Sequence, residues 1–457
     1  MKKIRNRALS IVLVLAVSFT MLLGSTGFAQ AASYSDTKKA FEKSGDYIYN
    51  TVKEPVTGSV GGDWVMYGLG NAGYEMSDAY VEKYLESVKN ALDEGYRGTA
   101  GILHDKKFTE YARTIIGCST VGIDATNVGG YDLTAPLADF VNIKWQGMNG
   151  PIWALIALDS GDYDVPEYTD SYAYGALTEA ESDRQNSRQR MIDYILANQY
   201  PDGGWNLQAK SSSNTGRNAL SDVDVTGMAM IALAPYQSQS KVKKAINKAI
   251  AYLSEVQHDD GGFDSWGTVN SESCAQAICG LILCGVNPNT DKRFIKNGNS
   301  IIDGLMSFYD ESTGGFRHVN VASGGYEPTV NQMATEQAYY ALALFYKSVP
   351  AKTSISKVTK SASGKLKVSW KKADINKTYL ESKEGKGGVS GYQIVLATDK
   401  SFTKGVKKLT VSGSKAVSKT VTGLSKGKTY YVKVRAYKTV NGKKVYGLYS
   451  KVLTKKA

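Results

Sequence analysis

Asp222-Val223-Asp224-Val225 stands at the head of a run of small and apolar residues, Gly227–Ala234, that has no polar face. Two later runs align with it on Ala229, Ala277 and Ala341, and each is preceded five residues earlier by an acid: Asp224, Glu272 and Glu336. The same alignment places Asn149 before Ala154, Glu110 before Ile115 and Asp63 before Gly68. Brought to one mouth, such groups do chemistry that isolated acids do not. Crowding raises their pKa values, so that some hold a proton for donation, and the ring as a whole attracts a cation. Asp224, with Asp222 beside it, is the candidate catalytic acid. Trp64, Tyr67, Trp153, Tyr339 and Tyr340 lie near the same places and are expected to line the space beneath, which suits a mostly apolar or planar ligand. The candidate ligand-binding residues are therefore Asp63, Glu110, Asn149, Asp224, Glu272, Glu336, Trp64, Trp153 and Tyr339. A purely structural role competes with this reading, because acids at helix starts cap free N–H groups and complement the macrodipole.

Other chemistries are poorly supplied. The three histidines, His104, His258 and His318, are too scattered for a multi-His metal site or a Ser-His-Asp triad. No Gly-rich loop carries the Lys of a phosphate cradle. Gly117-Cys118-Ser119-Thr120 lacks the downstream residues of a thioester motif. Cys118, Cys274, Cys279 and Cys284 form no CxxC pair. The last three are five residues apart in an apolar helical run, face different directions and are expected as buried free thiols. Two carboxylates flanking a sugar bond remain open, drawn from Glu110, Glu272 and Glu336.

Six helical hairpins must position these residues. They pair Ser35–Val52 with Asp63–Ala72, Ser77–Asp93 with Thr109–Gly122, Leu133–Val141 with Met148–Asp159, Arg184–Gln199 with Asp224–Ala234, Ser240–Gln257 with Glu272–Gly285, and Ser300–Tyr309 with Thr335–Ser348. The first helix of each pair is amphipathic: Lys241–Leu253 keeps apolar residues on one face and Lys on the other. The second helix is rich in Ala, Gly and apolar residues and must be buried all round. Six outer and six inner helices in alternation predict a closed (α/α)6 toroid, with an open superhelix as the competing architecture. Gly203-Gly204-Trp205, Gly261-Gly262-Phe263 and Gly314-Gly315-Phe316 mark the repeat. In each, Gly permits a tight reversal and the ring buries against neighbouring helices.

Gln199-Tyr200-Pro201-Asp202-Gly203-Gly204-Trp205 matches the Gln-x3-Gly-x-Trp repeat of squalene and other terpene cyclases. Gln257-x3-Gly261-x-Phe263 is a close second, and Asp310-x3-Gly314-x-Phe316 a degenerate third. The helical region resembles the superfamily of terpene cyclases, protein prenyltransferase β-subunits and cobalamin carriers of the transcobalamin type. In triterpene cyclases the middle acid of Asp-x-Asp-Asp protonates an alkene. The resemblance places Asp224 there, with Val225 instead of the last acid. In prenyltransferases an Asp-x-Cys pair and a later His hold zinc; Glu272-Ser273-Cys274 lies at the first place and Tyr339 at the second. The sequence itself requires no cofactor; the resemblance admits zinc or a bound corrinoid.

From Ala351 onward the pattern changes to alternating strands, with Leu366, Val368 and Trp370, then Tyr392, Ile394 and Leu396, then Tyr430, Val432, Val434 and Ala436 on one face. Seven short strands predict an all-β antiparallel sandwich. Leu424-x5-Tyr430 looks like a tyrosine corner, and with the early Trp370 the module 351–457 resembles a fibronectin type III domain. Asp374–Gly388 reads as an insertion. This module carries 26 Lys and Arg against 4 Asp and Glu, whereas residues 32–350 have a net charge of −14.

The N-terminus, with Lys2, Lys3, Arg5 and Arg7, an apolar stretch Ala8–Leu23 and Ala29-Gln30-Ala31, reads as a signal peptide over 1–31. A toroid over 33–350 and the sandwich over 351–457 complete the expected organisation. The expectation is a secreted bacterial surface protein, associated with the cell wall of a Gram-positive-type bacterium. Its toroid binds a small-molecule or isoprenoid-like ligand, and its basic module contacts anionic wall polymer rather than nucleic acid. No integral membrane segment is expected after signal cleavage. A terpene cyclase, mutase or prenyltransferase-type enzyme using Asp224 as acid, and a carbohydrate-active (α/α)6 enzyme, are the alternatives.

Overall fold

The computed structural model of the chain describes residues 34–169, 181–375 and 388–457. The signal-peptide expectation lies outside the described residues, as does most of the Asp374–Gly388 insertion.

The first hairpin pairs α1 (Tyr34–Thr51) with α2 (Trp64–Ala72), and the second α3 (Asp78–Glu94) with α4 (Thr109–Thr120). In the third, a short α5 (Phe140–Ile143) precedes α6 (Asn149–Ser160). In the fourth, α7 (Glu181–Arg184) and α8 (Arg188–Ala197) precede α9 (Val223–Leu233). The last two pair α10 (Ser240–Val256) with α11 (Ser271–Leu283), and α12 (Ile301–Met306) with α13 (Gln332–Ser348). The second members form the inner ring. Each touches the next, and α13 touches α2, so the ring is closed. The helical part is an (α/α)6 toroid.

Three outer helices differ from expectation; the sixth, expected over Ser300–Tyr309, is helical only over Ile301–Met306. Leu133–Val141 is no continuous helix: a 3-10 turn over Ala135–Ala138 ends at Asp139, whose extended backbone and side chain, accepting from Val141 and Asn142 N–H, restart the chain as α5. Pro136 favours such a short start over a long helix. The fourth outer helix begins at Arg188, not Arg184, because Ser187 caps it by accepting from Arg190 N–H.

The Gly-aromatic turns explain how neighbouring hairpins pack. Gly203, Gly261 and Gly314 all have positive φ, near +105°, +88° and +87°. A Cβ on them would come within 2.6 Å of the Lys248 carbonyl, 2.1 Å of the Ser300 carbonyl and 3.1 Å of the Lys43 carbonyl respectively. Each turn is therefore pressed against the next outer segment, and Gly314 presses against α1, closing the outer layer. Ser44 Oγ donates to the Gly314 carbonyl at 2.6 Å to fix that closure. Gln199 Nε2 donates to Gly203 and Ala245 carbonyls, and Gln257 Nε2 to Gly261 and Phe294 carbonyls, tying each turn to the hairpin that follows. Trp205, Phe263 and Phe316 are fully buried.

A small hairpin, β1 (Asp264–Ser265) and β2 (Thr268–Val269), sits between α10 and α11. The C-terminal part is a sandwich. One sheet holds β3 (Ile355–Ala362), β4 (Lys365–Trp370) and, beyond β5 (Gly391–Ala397) and β6 (Lys407–Ser412) in sequence, β7 (Ser418–Val421). The other holds β5, β6, β8 (Thr429–Val440), β9 (Lys443–Tyr446) and β10 (Leu453–Lys456). The expected seventh strand is split, because β9 and β10 pair with different stretches of β8. Tyr430 OH accepts from Ser425 N–H at 3.0 Å, which is the tyrosine-corner geometry of a fibronectin type III fold. The sandwich meets the toroid where Asn287 Nδ2 donates to the Tyr446 carbonyl at 2.7 Å, just beyond the C-terminal end of α11. All four cysteines are free and buried. Among the described residues no helix is long and apolar enough to cross a membrane.

Candidate functional site

A cavity of about 360 Å³ opens at the mouth of the toroid where the inner helices begin. Asp224, Met228, Glu272, Gln276, Met333 and Gln337 reach it from α9, α11 and α13, and Trp64 and Trp153 form its opposite wall. Trp266 and Thr268 come from the β1–β2 hairpin, and His318 and Tyr326 from the loop before α13.

The helix starts are built alike. Asp222, Asn270 and Asn331 cap α9, α11 and α13, each accepting from a backbone N–H three residues on. Asp222 is thus largely consumed by structure: Oδ1 accepts from Val225 N–H at 3.0 Å and Oδ2 from Ser265 Oγ at 2.5 Å. With the cap two residues earlier, Asp224 is released towards the cavity.

Glu272 is 5 % exposed and Gln276 4 %, one helical turn apart on α11. Oε2 of Glu272 accepts from His318 Nδ1 at 2.8 Å and from Ser271 Oγ at 3.0 Å. His318 is held for this by its own carbonyl, which accepts from Ser271 N–H, and by Tyr326, whose ring centre lies 4.2 Å from the imidazole. Gln276 Nε2 donates to Tyr340 OH and to Gln337 Oε1. The remaining oxygens of this cluster have no partner: Asp224 Oδ1, Glu272 Oε1 and Gln276 Oε1 are all buried without a hydrogen bond. Leaving one such acceptor unpaired costs about 1–3 kcal/mol.

Burial pushes the Asp224 carboxyl up to about 7; repulsion from Asp222 and Glu272 adds to this, while Ser273 and His318 oppose it. His318 is raised above the ordinary imidazole value, first by its hydrogen bond to Glu272. At neutral pH the site therefore offers a carboxyl that is part protonated, Asp224, and an imidazole held towards its charged form, His318. Those are the parts of an acid–base pair, and equally of a polar binding pocket.

The expected ring of six does not assemble. Asp63 turns outward between α2 and α3, where Tyr84 OH donates to it at 2.7 Å and Thr114 Oγ1 at 3.3 Å; burial first pushes its carboxyl to about 7. Glu110 pairs with Arg113 one turn along α4, outside the cavity. Glu336 is fully buried a turn into α13 and accepts from Gly61 N–H and Gln332 Nε2. Asn149 does not line the cavity. Tyr339 points to the outer layer and stacks on Phe41 at 5.1 Å, so it does not line the cavity either. Tyr340 instead packs against Trp64 and Tyr67, beneath Gln276. Of the nine candidate ligand-binding residues, Asp224, Glu272, Trp64 and Trp153 meet at one cavity.

The zinc expectation meets a geometric obstacle. Glu272 and Cys274 are two apart on α11 and face away from one another. Cys274 is fully buried, and that burial raises its thiol well above the ordinary value. Among the described residues no group of three His, Cys, Asp or Glu could hold a metal ion.

His318, Gln276, Trp266 and Tyr326 complete the site and were not among the sequence candidates. Trp266-Gly267 carried no hairpin signal, because such turns favour Gly, Asn or Asp at the first position. His318 carried none, because its partner is in another repeat.

No protein-family model matches the chain, and no curated protein matches it. Among solved structures it is similar to ent-copalyl diphosphate synthase from Streptomyces platensis, at 18% identity and a TM-score of 0.38, over 62% of this chain and 49% of that one. It is also similar to an unsaturated glucuronyl hydrolase from Streptococcus agalactiae, at 12% identity and a TM-score of 0.44, over 70% of this chain and 93% of that one. The FN1-FN3 domains of chicken CNTN1 align with 24% of this chain and 31% of theirs, at 24% identity and a TM-score of 0.18. The chain thus spans about half of the synthase and about a third of the CNTN1 fragment. These are likenesses of fold.

Proposed function

We propose that this chain is an exported binding protein. Its toroid holds a small ligand rich in hydrogen-bond donors, and its basic sandwich contacts anionic cell-wall polymer. The observation that carries the first part is that three residues lining one cavity, Asp224, Glu272 and Gln276, each keep a buried acceptor oxygen without a partner. A hydrocarbon would leave all three unpaired, at about 1–3 kcal/mol each, whereas O–H or N–H groups satisfy them. The ligand is therefore more polar than the isoprenoid expected from the repeat motif. A second reading, in which Asp224 also passes a proton to the ligand, is favoured by its raised carboxyl.

The wall contact rests on charge: 26 basic against 4 acidic side chains in residues 351–457. Lys433 and Arg435 are already stacked between Phe402, Tyr446 and Tyr449, so the exposed lysines of the other strands make the contact.

Mass spectrometry of compounds that co-purify with the full chain, and with Glu272→Gln combined with Asp224→Asn, tests the ligand. A donor-rich compound retained by the wild type and lost by the variant is expected. A retained hydrocarbon, or equal retention by both, refutes the reading. For the wall, sedimentation with purified cell wall should fall as salt rises; absence of binding at low salt refutes it.

A further inference from the structure

A second cavity, of about 260 Å³, adjoins the first and is lined by Arg217, Leu220, Asp222, Tyr252, Asp264 and Trp266. Trp266 lines both cavities, and is 43 % exposed at the tip of the β1–β2 hairpin. Asp222 and Asp224, two residues apart, belong to different cavities.

The backbone at that tip is unusual for a large side chain. Trp266 and Gly267 have φ near +53° and +81°. The chain makes the same two-residue reversal, positive at both positions, at Arg97-Gly98, Gly129-Gly130, Asn297-Gly298, Gly324-Gly325 and Asn441-Gly442. Gly or Asn fills the first position in four of these five, as the steric rule requires. Trp266 breaks the rule, and it does so at the ridge between two cavities. Bulky residues persist in this region where their side chain serves a purpose that offsets the strain. Packing alone does not account for it, because 43 % of the residue stays exposed; Arg217 lies 6.0 Å from the ring centre.

We infer that the two cavities are adjacent subsites for an oligosaccharide, with Trp266 as the stacking platform between consecutive pyranose units. This rests on the reading of the mouth cavity as a site for a donor-rich ligand, and names the class. A pyranose presents an apolar ring face to an indole and hydroxyl donors at its rim. The rim meets Asp224, Glu272 and Gln276 in the first cavity, and the Asp264 carboxylate with the Arg217 guanidinium in the second. A single ammonium group would use the carboxylates and aromatic rings alone. The neutral hydrogen-bonding groups of Gln276, Gln337 and Thr268 around the same cavity fit several hydroxyls instead.

The test is a glycan array of neutral, amino and acidic mono- to hexasaccharides, probed with the full chain and with Trp266→Asn. Asn accepts positive φ, so this variant should melt no lower than the wild type. Retention of disaccharides and longer glycans above monosaccharides is expected, with affinity for them about tenfold lower in the variant, the upper range of one aromatic stacking contact. Equal binding by both proteins, equal retention of mono- and oligosaccharides, or no retained glycan overturns the inference. A parallel thermal-shift panel of polyols and alkylammonium salts separates the two readings. If glycans fail while one of these raises the melting temperature, the donor-ligand site stands and the oligosaccharide falls. If both fail, both readings fall.

Discussion

Nδ1 of His318 lies 2.8 Å from Oε2 of Glu272, although 46 residues separate them and they belong to different repeats. The contact joins the fifth inner helix to the loop before the sixth, so the mouth is shaped between hairpins rather than within one. The imidazole is raised because its cation is stabilised by the carboxylate. Titrating the three histidines by NMR should show His318 above the usual imidazole value, and Glu272→Gln should bring it down. The stability that this pair contributes is fully present below the unfolded imidazole pKa and is lost as pH rises through the folded one. An unchanged His318 titration in the variant would separate the imidazole from Glu272.

Three carboxyls, Asp63, Asp224 and Glu336, are pushed to about 7, in each case first by burial. Unfolded, they titrate near 3.9–4.3. Between those values the folded state binds protons that the unfolded state has released, so stability falls as pH rises, by up to about 1.4 kcal/mol per pH unit for each group. Urea midpoints should be higher at pH 5 than at pH 8. Asp63→Asn, which can still accept from Tyr84, should flatten that slope; the same slope in the variant would contradict the assignment.

Chelation should do nothing. Glu272 and Cys274 face apart on α11, and Cys274 is buried in the core. The melting temperature should be the same with EDTA, with added zinc and with neither. A zinc-dependent rise that Cys274→Ala abolishes would reinstate the metal.

The aromatic turn is a stability element. Trp205 is fully buried, and its Nε1 donates to the Ile195 carbonyl at 2.7 Å. Trp205→Ala should cost about 3–5 kcal/mol in denaturant unfolding. Gln199→Ala, which frees the Gly203 and Ala245 carbonyls, should cost about 1–3 kcal/mol. Neither residue lines either cavity, so ligand retention at low temperature should survive both.

The inner helices were legible in the sequence because their signal is local: a run such as Val223–Leu233 with no polar face admits only burial. The close approach of α9 and α11 follows, since a Cβ on Gly227 would lie 2.6 Å from the Gln276 backbone. The acidic ring was misread because alignment gives a residue's height along a helix and not its direction. Asp63 faces the outer layer towards Tyr84, and Glu336 faces the loop at Gly61. His318 and Trp266 escaped because loops carry no period, and their roles arise only when two hairpins meet.

The closed ring has one more consequence. Phe41 of α1 stacks on Tyr346 and Tyr339 of α13, and Gly45, one turn further along α1, lies against Tyr339 alone of these two, so the two helices run in opposite directions and the beginning of α1 lies towards the end of α13. The toroid is therefore nearly a circle in its connectivity as well as in its shape. In the toroid without the sandwich, a short linker from Ser348 to Tyr34, with new termini opened in the turn after Leu283, would yield a circular permutant that keeps the contacts between inner helices.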